Sequence, residues 1–202
     1  MKKIIFILIS LSMLSGCIST QVRDFTDPEY NSFVSKKLLV ATPNPTFDEI
    51  FLKAAKDNYV ETEIVKYSDL FFPTREYTAQ DIRNTIKANN IDAILLVGIA
   101  VDSGVHAQVI GYQTNISVNQ FNNTATAHTY AQTAYSRATA ANAKLLDAKT
   151  KQTIWMADLI TNASGAIYVQ SDDTMEDMSD EIIRTLGKKR HLACSGRYCK
   201  PK

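Results

Sequence analysis

Ile91-Asp92-Ala93-Ile94-Leu95-Leu96-Val97-Gly98 is the stretch on which the fold turns. A strand with one wet face alternates apolar and polar residues. An unbroken apolar run such as Ala93 to Val97 is instead covered on both faces. The run therefore predicts a central strand over residues 91–101. Upstream, Thr78-Ala79-Gln80-Asp81 has the form of a helix start, and Ile82 and Ile86 follow four apart on one face. Further back, Val60, Thr62 and Ile64 alternate with Glu61 and Glu63, which predicts a strand over residues 60–67. Phe71-Phe72-Pro73 lies between these elements and reads as a loop with exposed aromatics. Thr46-Phe47-Asp48-Glu49 fits a capping box, and Phe47, Ile50, Phe51, Ala54 and Asn58 continue at helical spacing over residues 47–58. The apolar run 38–41, stopped by Thr42-Pro43-Asn44-Pro45, reads as a buried strand before a turn.

Downstream of Asp102-Ser103-Gly104 the texture changes. Residues 105–170 are rich in Thr, Ala, Asn, Gln and Tyr, with little helical periodicity, and read as long antiparallel strands. One hairpin is expected from residues 105–118 and 126–138 around Asn122-Asn123. Another joins 140–146 to 153–160 through Asp147-Ala148-Lys149-Thr150-Lys151-Gln152. Last comes a helix capped by Asp172 or Asp173, with Met175, Met178, Ile182, Ile183 and Leu186 on one stripe. Gly187 is expected to end it, ahead of Lys188-Lys189-Arg190. The fold class expected is α/β: a single domain with a mixed β-sheet, a βαβαβ first half, an antiparallel β-meander second half and a C-terminal helix.

The first residues carry a separate message. Met1-Lys2-Lys3 is followed by an apolar stretch from Ile4 to Leu14. A spanning helix needs about 20 apolar residues, and this segment has the shorter length of a signal-peptide core. Its end, Leu14-Ser15-Gly16-Cys17, resembles the lipobox of bacterial lipoproteins. That resemblance implies cleavage before Cys17, diacylglycerol on its sulfur and a third acyl chain on the new amino terminus. Several acyl chains hold a protein at a membrane far more firmly than one. Ile18, rather than Asp, follows the cysteine, and the sorting rule of enteric bacteria then implies an outer-membrane address; the periplasmic face is the side expected for the body, though the sequence itself does not give it. The expected divisions are a signal peptide (1–16), a lipid-anchored flexible tether (17–36, polar with Pro28), the α/β domain (37–190) and a C-terminal tail (191–202).

Loss of Lys2 and Lys3 with the leader takes the formal net charge from +1 to −1. So neutral a chain exerts no general pull on nucleic acid, and no nucleic-acid partner is expected. With Cys17 acylated, Cys194 and Cys199 remain as a pair, which an oxidising compartment favours bridging across Ser195-Gly196-Arg197-Tyr198. With His191 the tail also reads H-x2-C-x4-C, but that supplies three ligands where a closed zinc site wants four, so no metal is expected.

The body has a resemblance of its own. Ile91-Asp92-Ala93-Ile94-Leu95-Leu96-Val97-Gly98 resembles the central strand of envelope domains such as the N-terminal domain of TolB, the LpoB lipoprotein and the periplasmic part of CsgG. Ala143-Lys144-Leu145-Leu146-Asp147-Ala148-Lys149-Thr150, returning through Ile154-Trp155-Met156-Ala157, resembles their hairpin, with Lys151 where that turn usually has Gly. The likeness covers roughly residues 38–188. It implies binding of envelope partners and brings no catalytic residues.

The chain has no G-x-G-x-x-G, no G-x-x-x-x-G-K-[ST], no G-x-S-x-G and no H-E-x-x-H. No cofactor is expected. Ser103-Gly104 and Ser164-Gly165 lack a nucleophile setting. His106 and His128 fit either a pair facing each other across a hairpin or, more simply, two exposed strand histidines. Asp172-Asp173 with Glu176 and Asp177 is best explained as complementing a helix start. Trp155 reads as a core anchor. Tyr112, Tyr130, Tyr135 and Tyr168 fit either a contact face or ordinary strand preference. Phe71 and Phe72 are the sharper candidates for partner binding, because paired loop aromatics are costly in water, although packing back on the core remains open. The function expected is a non-enzymatic, lipid-anchored envelope protein that binds or assembles protein partners, its own copies included. The alternatives are a cell-wall-acting hydrolase and a small-ligand or metal carrier using His106, His128 and the tail.

Overall fold

The computed structural model describes residues 16–119, 124–165 and 168–196, with side chains excepted over 115–128. One open, mixed sheet of seven strands carries helices on its faces. Its strands are β1 (Cys17–Thr26), β2 (Lys37–Ala41), β3 (Glu63–Lys66), β4 (Ala93–Asp102), β5 (His106–Asn119), β6 (Thr124–Asp147) and β7 (Thr153–Ser164). Its helices are α1 (Pro45–Asp57), the single turn α2 (Tyr67–Leu70), α3 (Ala79–Ala88) and α4 (Ser171–Lys188). The order across the sheet is β1-β7-β6-β4-β2-β3, with β5 also on β6. β2 is parallel to β3 and to β4, and every other pairing is antiparallel.

The main core lies between one face of the sheet and helices α1 and α4. Leu38, Leu95, Leu145, Ile154, Trp155 and Leu159 project from the strands against Phe47, Phe51, Met178, Ile182, Ile183 and Leu186. Trp155 is fully buried, as expected of a core anchor, and its indole nitrogen donates to Asp24 at 3.1 Å. A smaller cluster of Leu39, Phe71 and Ile91 lies on the opposite face, where Ile82 and Ile86 of α3 pack against it. The run at Ala93–Val97 is therefore covered on both sides at β4, apart from Leu96, which is 39% exposed.

Several expectations need correction. Residues 17–26 are not a tether: they form β1, paired along its whole length with β7. The sequence hides this strand because three inward positions are polar, Thr20, Asp24 and Thr26, the first two satisfied by hydrogen bonds inside the fold. Helix α1 begins two residues earlier than its capping-box motif suggested. Asn44 is the N-cap, accepting from the Thr46 amide at 3.0 Å, and Pro45 takes the first turn, where its missing N–H costs nothing. Thr78 and Asp81 do form the expected capping box on α3. Neither Asp172 nor Asp173 caps α4, whose N-cap is Gln170. Gly187 lies inside the helix, and Lys189 is its C-cap.

β6 is one continuous strand of 24 residues rather than two. Its C-terminal half sits between β4 and β7, whereas its N-terminal half pairs only with β5. The Asn122-Asn123 turn lies outside the described residues. The tail is not separate from the body at its start. His191 and Leu192 are buried, the Ser35 amide donates to the His191 carbonyl at 2.9 Å, and the Ala193 amide donates to the Thr62 hydroxyl at 2.9 Å.

Candidate functional site

Cys17 opens β1 at one end of the sheet, exposed and unbridged. Its register partner is Ser164, whose hydroxyl donates to the Cys17 carbonyl at 3.3 Å. Ser164 pairs in turn with Ser136, and Ser136 with His106. The four residues make a row across the sheet. An open hollow of about 520 Å3 lies along it, lined among others by Cys17, Ser103, His106, Ser136, Arg137 and Ser164.

Two of the hollow's hydroxyls, those of Ser103 and Ser164, are committed to the backbone. Ser103 accepts from the Ala138 amide at 2.9 Å and donates to the Gly104 carbonyl at 3.1 Å. Arg137 pairs with Asp102 and donates to the Val169 carbonyl at 3.2 Å. The Arg137 hydrogen bond holds the Asp102 carboxyl below the usual carboxylate range, against the opposing effect of its partial burial. The row thus presents an accessible thiol beside small polar groups and one ion pair.

A second hollow of about 260 Å3 lies beyond the C-terminal ends of β2 and β3. Here Phe71 and Phe72 part company. Phe71 is 2% exposed, stacked on Tyr67 at 4.5 Å between ring centroids and edge-on to Tyr77 at 5.2 Å. The expectation of an exposed pair is therefore corrected: Phe71 belongs to the smaller core, and Phe72 alone is exposed, at 50%, beneath the Arg75 guanidinium at 5.3 Å. Asp48 also lines this hollow. Its side chain accepts from the Thr42 hydroxyl at 2.8 Å, and burial pushes its carboxyl above the usual range. Sequence reading did not single out Asp48, although its place after Thr42-Pro43-Asn44-Pro45 was the available signal.

The remaining candidates are dispersed. His106 lies opposite Ser136 and His128 opposite Asn115, so the two histidines occupy distant rungs of the hairpin and do not face each other. His191 is buried, its Nδ1–H donating to the Phe33 carbonyl at 3.0 Å. Cys199 lies outside the described residues, as does the bridge expected of it. In the acidic group, Glu176 pairs with Lys53 at 2.9 Å and Asp177 accepts from Thr20 at 2.6 Å, so both hold neighbouring elements. Tyr112, Tyr130 and Tyr168 are exposed, and Tyr135 is half-buried. Among the described residues no three His, Cys, Asp or Glu side chains are grouped to hold a metal ion, and no helix is long and apolar enough to cross a membrane.

No protein-family model and no curated protein matches the chain. Similar solved structures include a PelC dodecamer from Paraburkholderia phytofirmans, at TM-score 0.46 and 9% identity, covering 86% of this chain and 99% of that one. Lipoprotein GNA1162 from Neisseria meningitidis is similar at TM-score 0.36 and 12% identity, over 74% of this chain and 96% of that one. A PDZ domain protein from Parabacteroides distasonis is similar at TM-score 0.35 and 7% identity, over 88% of this chain but only 38% of that one. Identities and scores this low assign neither a family nor a function.

Proposed function

We propose that the protein is a lipid-anchored envelope protein, held at the outer membrane by acyl chains on Cys17 and working without catalysis, through contacts with protein partners. The observation that carries this reading is the position of Cys17. It ends the lipobox-like Leu14-Ser15-Gly16-Cys17, and it opens an edge strand with its thiol exposed at the rim of the sheet. Acyl chains there bring the folded body directly against the bilayer, with no spacer. The terminal strands of the sheet, β1 and β3, and the exposed ring of Phe72 supply surfaces for protein contact. The envelope-domain resemblance around Ile91–Gly98 agrees with that role.

Crosslinking in intact cells followed by purification tests it. A reproducible protein adduct, lost when the β3 edge or Phe72 is altered, is the expected result. Absence of any adduct under crosslinkers of several lengths overturns the contact role.

A second reading has its own support in the hollow at Asp48. A buried carboxyl with a raised pKa beside Tyr67, Phe71 and Tyr77 is a setting that takes small ligands. Native mass spectrometry of protein drawn gently from envelopes checks it: a bound small molecule lost in Asp48→Asn favours ligand carriage.

A further inference from the structure

Past the row that contains Cys17, the sheet narrows to two strands. β5 and the first half of β6 pair from His106–Ser136 out to Asn119–Thr124. β7 ends opposite Ser136, and β1 begins opposite that end of β7, so among the described residues neither accompanies the hairpin outward. The ladder comprises 13 paired positions. At about 3.4 Å per residue it makes an arm about 40 Å long. A two-stranded ribbon alone in water is marginal, so an arm of this length calls for a covering environment.

Its composition says which one. Residues 103–136 contain no Asp, Glu, Lys or Arg, in a chain that is 21% charged. Charge resumes only at the base, with the Asp102–Arg137 pair. The register then sorts what remains. Allowing for the bulge between Val109 and Gly111, one face takes the positions of Ala107, Val109, Tyr112, Thr114, Ile116 and Val118, opposite Ala, Thr and Tyr positions of β6. The other face takes His106, Gln108, Gln113, Asn115, Ser117 and Asn119. On the first face Val109 is 51% and Tyr112 75% exposed, and the Thr114 and Thr129 hydroxyls bond each other at 2.9 Å. On the second, Gln132 donates to Gln113 at 3.2 Å. Alternation of a mainly apolar, Thr-containing set of positions with an uncharged, mainly polar set is the pattern of a strand with hydrocarbon on one side and water on the other.

We infer that this hairpin inserts into the same bilayer that the Cys17 acyl chains enter, its apolar face towards hydrocarbon and its polar face towards a lumen shared with other copies of this chain. The inference rests on the anchor proposed above. Three features support it. The hairpin leaves the sheet at the end where Cys17 sits, so anchor and arm address one membrane. Tilted by about 40°, an arm about 40 Å long spans about 30 Å, the thickness of the hydrocarbon layer. Its outer edges carry unpaired backbone groups that hydrocarbon cannot satisfy, and neighbouring hairpins from further copies satisfy them by closing the sheet.

The test uses the full-length, lipidated protein reconstituted into phosphatidylethanolamine–phosphatidylglycerol vesicles. Single cysteines replace Val109, Thr129 or Ala131 on one face and Gln108, Gln113 or Gln132 on the other, in an otherwise unchanged chain. Each is labelled with a polarity-sensitive dye without reductant, and the parent protein is labelled in parallel as background. Flotation reports anchoring, and nitroxide lipids report contact with acyl chains. The inference expects floating protein whose first-face positions are quenched at least about twofold more than the second-face positions. Floating protein with no lipid quenching on either face overturns the inference and leaves the anchor standing. This includes the case where only the first face is blue-shifted, as pairing between copies in water would give. Equal quenching on both faces also overturns it. Protein that does not float overturns the anchor reading itself.

Discussion

Cys17 and Ser164 are register partners at the rim of the sheet, and the Ser164 hydroxyl donates to the Cys17 carbonyl at 3.3 Å. The residue expected to carry the lipid is thus the first residue of the folded body. A flexible spacer lets a domain roam from its membrane, whereas a strand that begins at the anchor fixes both the distance and the end of the sheet that faces the lipid.

That arrangement predicts slow amide exchange at the start of the mature chain. Amides of β1 that bond to β7, between about Ser19 and Phe25, are expected to exchange about as slowly as those of β7 itself. Hydrogen-exchange mass spectrometry of the N-terminal peptide checks this. Exchange at the rate of an unfolded peptide would restore the tether.

Asp24 joins β1 to the core through the buried indole. It accepts from Trp155 Nε1 at 3.1 Å and pairs with Lys189 at 3.3 Å. Asp24→Ala strands a buried donor and is expected to destabilise the fold by about 1–3 kcal/mol. Trp155 is the sole tryptophan, so urea denaturation followed by its fluorescence reads the change directly. Asp24→Asn, which keeps an acceptor, is expected to recover much of the loss.

Asp92 ties two parallel strands at their starts. Its carboxylate accepts from the Ser35 hydroxyl at 2.7 Å, the Lys36 amide at 2.8 Å and the Lys37 amide at 3.1 Å. Asp92→Ala is expected to cost about 2–4 kcal/mol, because two backbone donors lose their partner together. The midpoint of chemical unfolding measures it, and a loss below about 0.5 kcal/mol, the range of an ordinary surface substitution, would refute the assignment.

His191 gives the fold a pH dependence of predictable sign. Burial holds its imidazole pKa below the ordinary 6.5, against the hydrogen bond to Phe33, and Nε2 is buried without a partner. The unfolded chain therefore takes up the proton first as pH falls. Stability is expected to be level above about pH 6.5 and to decline below it, down to the lower folded pKa. Asp48 and Asp180, whose pKa values burial raises, act in the opposite direction and in the carboxylate range. Thermal melts between pH 7.5 and 5.5 check the slope, which His191→Gln is expected to flatten in this window.

Cys194 and Cys199 are expected to bridge in the exported protein. Thiol titration of unreduced material should find neither of them reactive, and recovery of two free thiols would remove the bridge.

The parts of the fold legible in sequence were those where side-chain pattern and burial agree. Ala93–Val97 reads as a covered strand because its neighbours on both faces are apolar, and Thr78–Asp81 reads as a helix start because its motif is local. β1 was not legible, because Thr20 and Asp24 point inward and are satisfied by Asp177, Thr161 and Trp155, partners more than a hundred residues away. The start of α1 was misread because Thr46-x-x-Glu49 competes with Asn44-Pro45, and only backbone geometry decides between them. The exposed reading of Phe71 failed for a similar reason: Tyr67 and Tyr77, which enclose it, reach it only once α2 has turned the chain. The row joining Cys17 to His106 is a product of strand register alone, which no local motif encodes.

The measurement that bears most directly on this account is the intact mass of the protein recovered from the membranes of a Gram-negative host. The account predicts a chain that begins at Cys17 and carries the added mass of acyl groups on that residue. A chain that retains residues 1–16, or one that begins elsewhere with Cys17 unmodified, would contradict it.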